Sequence, residues 1–179
     1  MKKLLAFLLI LGFASSSCEP DDICDPATPT TPRMLIQFYN VKIPSELKDV
    51  DNLKVVGDGM TEGVVLSPTA AGDDKYLANG NNILLPLNTE ADLVKYTFTI
   101  NYGNSNPLLV HEDNLEFRYN RKNSYVSRAC GFKTTFNLDE TTPFILSDST
   151  PADPLWIQYV IVEQNNITSE NETIVKIYF

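Results

Sequence analysis

The stretch KYTFTINY, residues 95–102, decides the fold. Tyr96, Phe98, Ile100 and Tyr102 alternate with Lys95, Thr97, Thr99 and Asn101. Successive side chains of an extended strand point to opposite faces, so a period of two predicts a strand with one apolar and one polar face. No helical stripe fits these eight residues.

Working outward, the same signature recurs. Leu115, Phe117 and Tyr119 alternate with Glu116, Arg118 and Asn120. The polar run Asn120–Asn123 reads as a turn, with a returning strand over Tyr125–Phe136, and together they predict a hairpin. Met34–Val41, Leu53–Val56, Val64–Leu66 and Ile83–Leu87 are further apolar runs. Pro86 places the last of these at an edge or a strand end. Leu155–Val162 (LWIQYVIV) is apolar on both faces and predicts a central, doubly covered strand. Val175, Ile177 and Phe179 share one side of a closing strand. Helical signals are confined to Ser45–Val50, where Ser45 after Pro44 could cap one turn. Residues 70–82 read as a polar loop. About eight strands with Asn-, Asp-, Pro- and Gly-rich connections predict an all-β chain, a single antiparallel β-sandwich over residues 33–179.

The N-terminus carries a different pattern. Lys2 and Lys3 precede an apolar run, Leu4–Phe13, and then Ala14, Ser15, Ser16, Ser17 and Cys18. A positive start, a short apolar core and small residues predict a secretory signal peptide over residues 1–17. The run is about half of the roughly 20 residues that a membrane-spanning helix needs. A cysteine directly after the small residues is the acceptor position of lipoprotein signal peptides. The strict lipoprotein box has an aliphatic residue where this chain has Ser15, so the match is to a looser, Ser-rich form. Acylation of Cys18 would make the membrane the first partner, at about 0.8 kcal/mol per buried methylene. Residues 18–32 then form a tether, with Pro20, Pro26, Pro29 and Pro32 favouring extended chain. The cluster Glu19, Asp21 and Asp22 resembles the surface-export signal of Bacteroidota lipoproteins.

The formal net charge of -9 falls to -11 once Lys2 and Lys3 are removed with the signal. That balance excludes nucleic acid as a partner class and disfavours anionic lipid surfaces as a binding target for the whole chain. Aromatic content of 10% excludes a disordered chain.

Three segments, DDICDPATPTTPRMLIQFYN (21–40), YVSRACGFK (125–133) and VKIYF (175–179), resemble an uncharacterised lipoprotein family of the Bacteroidota, a domain of unknown function. The resemblance spans nearly the whole mature chain. It implies a cell-envelope location, anchored at the outer membrane, and one domain. It transfers no catalytic residue.

No residue pattern in the chain points to a catalytic residue, a metal site or a cofactor. His111 is the one histidine. Metal sites want several ligands at set spacing, and a nucleophile–histidine–acid set would have to use this same residue. The acidic pairs Asp49 and Asp51, Asp73 and Asp74, and Asp139 and Glu140 could serve a hydrolase only if two carboxylates flanked one cleft. Tyr96, Phe98, Tyr102, Phe117, Tyr119 and Trp156 fit core packing better than a sugar-binding face. Asn166 and Asn171 head N-glycan acceptor patterns, read here as an unused polar turn, and Asp148-Ser149-Thr150 reads as a plain loop. Beyond Cys18, Cys24 and Cys130 remain. An even pair in an exported protein points to a disulfide between the tether and a strand next to Gly131. The competing readings are two free thiols or a reactive Cys130. The functional expectation is a non-enzymatic, lipid-anchored envelope module that binds a protein, peptide or glycan. The alternative is a hydrolase of an extracellular polymer acting through paired loop carboxylates.

Overall fold

The computed structural model describes residues 23–25, 27, 28, 30–148 and 154–179. The expected signal peptide and Cys18 lie outside the described residues. Two sheets pack face to face, as the alternation predicts. One has four strands in the order β4 (Asn82–Leu85), β1 (Met34–Tyr39), β11 (Thr173–Tyr178) and β9 (Tyr159–Val162). The other runs β10 (Asn166–Ile167), β7 (Gly131–Leu138), β6 (His111–Ser127), β5 (Leu93–Ile100), β2 (Val50–Gly57) and β3 (Leu77–Gly80), with β8 (Phe144–Asp148) also on β6. All pairs are antiparallel except β1 with β11, which is parallel and departs from a purely antiparallel sandwich.

The inward positions of both sheets form one core. Ile36 and Phe38 of β1 sit beside Val175 and Ile177 of β11, and face Phe98, Leu115 and Phe117 across the sandwich. Phe38, Phe98, Leu115 and Phe117 are fully buried. Each such side chain contributes about 1.5–3 kcal/mol relative to leaving it in water.

Several expectations change. The hairpin does not turn at Asn120–Asn123: β6 continues for 17 residues, to Ser127. The turn is Arg128-Ala129-Cys130, with Gly131 at φ +68° closing it. A three-residue loop followed by a left-handed residue is a favoured hairpin connection, and glycine takes that conformation without strain. Cys130 therefore lies in a turn rather than a strand. Leu155–Val162 is not a central strand: β9 begins only at Tyr159 and is the edge of its sheet. Residues 70–82 are not simply loop, because Gly72–Tyr76 makes a 3-10 turn that leads into β3. Ser45 caps no helix: Ile43 and Glu46 close a tight turn, and Leu47 bridges to Tyr39. Val64 is buried without forming a strand, and β8 carries no alternation strong enough to have been read beforehand. Asn166 and Ile167, expected in a turn, pair with β7.

β7 and β8 lie along the same edge of β6. The Arg118 N–H donates to the Pro143 carbonyl and its carbonyl accepts from the Asp139 N–H, so residues 139–143 bulge out between two halves of one long partner strand. Asp139 holds that bulge. Its Oδ1 accepts the N–H groups of Thr142 at 2.7 Å and Thr141 at 2.9 Å, which keep its carboxyl below the usual carboxylate range.

Candidate functional site: two clefts around the 57–63 loop

The loop that follows β2, residues 57–63, separates two surface clefts. The larger encloses about 490 Å³ and is lined by Gly57, Met60, Pro86, Leu87, Leu93, Val94 and Tyr96, with Asp58, Asn88, Ala91 and Lys95 completing it. Its rear wall is fixed by two tyrosines of the second sheet. The Tyr96 hydroxyl donates to the Pro86 carbonyl. The Tyr119 hydroxyl donates to the Asn88 carbonyl at 3.1 Å and accepts the Asn88 N–H at 2.8 Å. Burial pushes the Tyr119 hydroxyl up to about 12 and raises that of Tyr96 above its ordinary value as well, because the phenolate would lose its water. Met60 and Leu93 remain exposed at the rim. This is a preformed, mostly apolar recess with a few placed polar groups, the usual make-up of a ligand site.

The smaller cleft encloses about 240 Å³. Lys54, Thr61, Glu62, Gly63, Asp73, Tyr76, Leu77 and Tyr102 line it. The Tyr76 hydroxyl donates to Glu62 at 2.7 Å. The Lys54 ammonium sits 4.1 Å from the centre of the Tyr102 ring, a cation–π distance.

The acidic pairs picked from the sequence are not brought together as pairs. Asp49 accepts from the Asn81 amide at 3.0 Å, Asp51 lies exposed on β2, and Asp139 holds the bulge. Asp73 does line a cleft, but its carboxylate companion there is Glu62, not Asp74. Glu62 carried no sequence signal, since it sits in a loop of no periodicity 11 residues from Asp73. Among the described residues no group of three or more His, Cys, Asp or Glu side chains could hold a metal ion. His111 opens β6 opposite Ile100. Tyr96, Phe98, Phe117, Tyr119 and Trp156 are core, as read from their spacing, and Tyr102 is the exposed one of the six.

The outer face of the four-stranded sheet carries a row of rings that sequence reading missed. Tyr178 stacks on Tyr159 at 4.2 Å and on Tyr39 at 5.3 Å between ring centres. The row is set by the register that aligns Tyr39 with Tyr178 and Tyr178 with Tyr159.

Cys24 and Cys130 are joined in a disulfide, with Cα atoms 4.8 Å apart. Past Cys24 the chain stays on the domain. Thr31 accepts the Thr134 N–H at 3.0 Å, and Arg33 makes a two-pronged ion pair with Glu170. The hairpin formed by β6 and β7 is therefore stapled to the N-terminal segment.

Fold and clefts define a disulfide-braced all-β sandwich with open surface recesses. A model of the family of unknown function DUF6452 matches residues 53–179, and the chain belongs to that family. The match begins within β2 and covers the strands on which both clefts are built. No curated protein and no solved structure matches the chain.

Proposed function

We propose that the protein is a non-enzymatic, lipid-anchored module of the cell envelope that binds an apolar peptide segment of a partner protein. The apolar cleft of about 490 Å³ carries this reading. Met60 and Leu93 at its rim offer apolar contact area, and the Met60 thioether adapts to side chains of differing shape. The run Leu4–Phe13 with Ser15-Ser16-Ser17-Cys18 supports the anchor, and a disulfide within the chain suits an oxidising, extracytoplasmic compartment.

Two measurements test it. Changing Cys18 to Ala releases the protein from the membrane fraction if Cys18 is the acylated N-terminus. Tagged protein captured from its own envelope, with bound proteins identified by mass spectrometry, is compared with a Met60→Glu, Leu93→Glu variant. A partner retained equally by both forms would sink the cleft as its binding site.

A second reading has one specific observation behind it. Glu62 and Asp73 share a cleft with two tyrosines, as a glycan hydrolase would require of paired carboxylates. New reducing ends released from envelope polysaccharide, and abolished by Glu62→Gln and by Asp73→Asn, would replace the binding module with an enzyme.

A further inference from the structure

The hairpin of β6 and β7 runs past the edge of the sandwich. Its last core pair is Tyr119 with Phe136, whose rings meet edge-on at 5.3 Å. Beyond them on the same face come Asn123 opposite Thr134, and then Tyr125 opposite Phe132. The alternation that fills the core thus continues into water. Tyr125 and Phe132 contact each other at 5.4 Å, yet they are 62% and 71% exposed. Ile23, next to the stapled Cys24, is 80% exposed. Three large apolar side chains are presented together at one end of the molecule, where the disulfide joins the N-terminal segment to the hairpin turn.

We infer that this hairpin tip is a second membrane contact, with Phe132, Tyr125 and Ile23 seated in the interfacial layer of the bilayer. The inference rests on the proposed acylation of Cys18 and adds to it a specific docking surface. Chain length supplies the first argument. Residues 19–23 separate the acyl site from the disulfide, and five extended residues span at most about 17 Å. Counted from the acylated residue itself, Cys24 lies six steps away, within about 20–22 Å, which holds the tip near the lipid, while the headgroup layer is itself several ångströms deep on each side of the hydrocarbon. Side-chain chemistry supplies the second. Tyrosine, with an apolar ring and a polar hydroxyl, gathers at membrane interfaces, and the wholly apolar Phe132 and Ile23 beside Tyr125 gain by leaving water.

Basic side chains gather at the same end without making it net positive. Residues 121–133 contain Arg121, Lys122, Arg128 and Lys133 and no acidic residue, in a chain with 23 acidic and 14 basic side chains. Arg121 is paired with Asp92, and Lys122 and Lys133 flank the rings in the two strands. By sequence, Glu19, Asp21, Asp22 and Asp25 bring four negative charges to the segment around Cys24. The contact therefore depends on the apolar groups and persists on a zwitterionic surface.

The test uses the full chain purified with its native N-terminus and reconstituted into phosphatidylcholine vesicles, with or without bromine on the acyl chains. Flotation reads the anchor, and tryptophan quenching reads the tip. Trp156 is buried in the core and gives a constant background. Phe132→Trp and Tyr125→Trp place probes in the tip. Leu108→Trp places one beside the opposite end of β6, about 55 Å along the strand at about 3.3 Å per residue. The result expected is loss of emission in brominated vesicles for both tip probes and none for Trp at position 108. Flotation with unquenched tip probes, or with all three quenched alike, overturns the docked tip and leaves the anchor standing. Failure to float overturns the anchor, and the tip contact with it.

Discussion

Asp113 and Ile157 join the two sheets: the Asp113 Oδ2, on β6, accepts the Ile157 N–H at 2.7 Å, and the two residues are 1% and 0% exposed. The neighbouring Trp156 donates its indole N–H to the Phe98 carbonyl at 3.2 Å. These bonds seat the segment that leads into β9. A buried amide without an acceptor costs about 1–3 kcal/mol. Asp113→Ala should lower stability by about that amount, read as a fall in the urea midpoint at unchanged slope. Asp113→Asn, which keeps an acceptor oxygen, should recover part of the loss.

Cys24 and Cys130 close a loop 106 positions apart. In the chain-entropy model such a loop contributes about 4–5 kcal/mol by restricting the unfolded chain. Reduction should therefore lower the melting temperature strongly, and Cys24→Ser with Cys130→Ser should reproduce the reduced protein. Thiol labelling of denatured, unreduced protein checks the bond itself: labelled Cys24 and Cys130 in native material would rule it out.

Gly131 closes the hairpin turn at φ +68°, and a Cβ added there meets nothing within 4 Å. The cost of Gly131→Ala is therefore backbone strain alone, about 1–2 kcal/mol for a left-handed non-glycine residue. Gly131→Asn, which tolerates that conformation better, should be the milder change. Equal losses from both would show that the turn relaxes.

Tyr96 and Tyr119 make stability sensitive to alkali. Both hydroxyls are held neutral in the folded state above the ordinary value of 10.0, Tyr119 up to about 12. Between pH 10 and 12 the unfolded chain gives up these protons while the folded chain keeps them. The unfolded state then binds fewer protons, so stability falls as pH rises through this window and is unaffected by these groups below it. Tyr119→Phe should flatten that slope. It should also cost about 1 kcal/mol at neutral pH from the lost bonds to Asn88.

Local chemistry was enough for the strands that alternate. Tyr96, Phe98, Leu115, Phe117, Val175 and Ile177 announce their inward face because side-chain direction in a strand depends only on position along it. The pairing of Cys24 with Cys130 was legible from counting, since an N-terminus that reads as an export signal and an acyl acceptor at Cys18 leave two cysteines with one possible partner each. Asn120–Asn123 shows where this reasoning ends. Its composition suits a turn, but β7 offers a continuous ladder to β6 as far as Ser127, and Gly131 supplies a turn the backbone adopts at less cost. Leu155–Gln158 has the composition of a buried strand, yet Asp113 takes the Ile157 N–H that a neighbouring strand would have used. The clefts and the exposed Tyr125–Phe132 pair were invisible for a further reason. They join residues such as Glu62 with Asp73, or Met60 with Leu93, whose proximity is decided by sheet order and strand register. Sequence period determines which way a side chain points, whereas tertiary structure alone decides whether anything lies there to cover it.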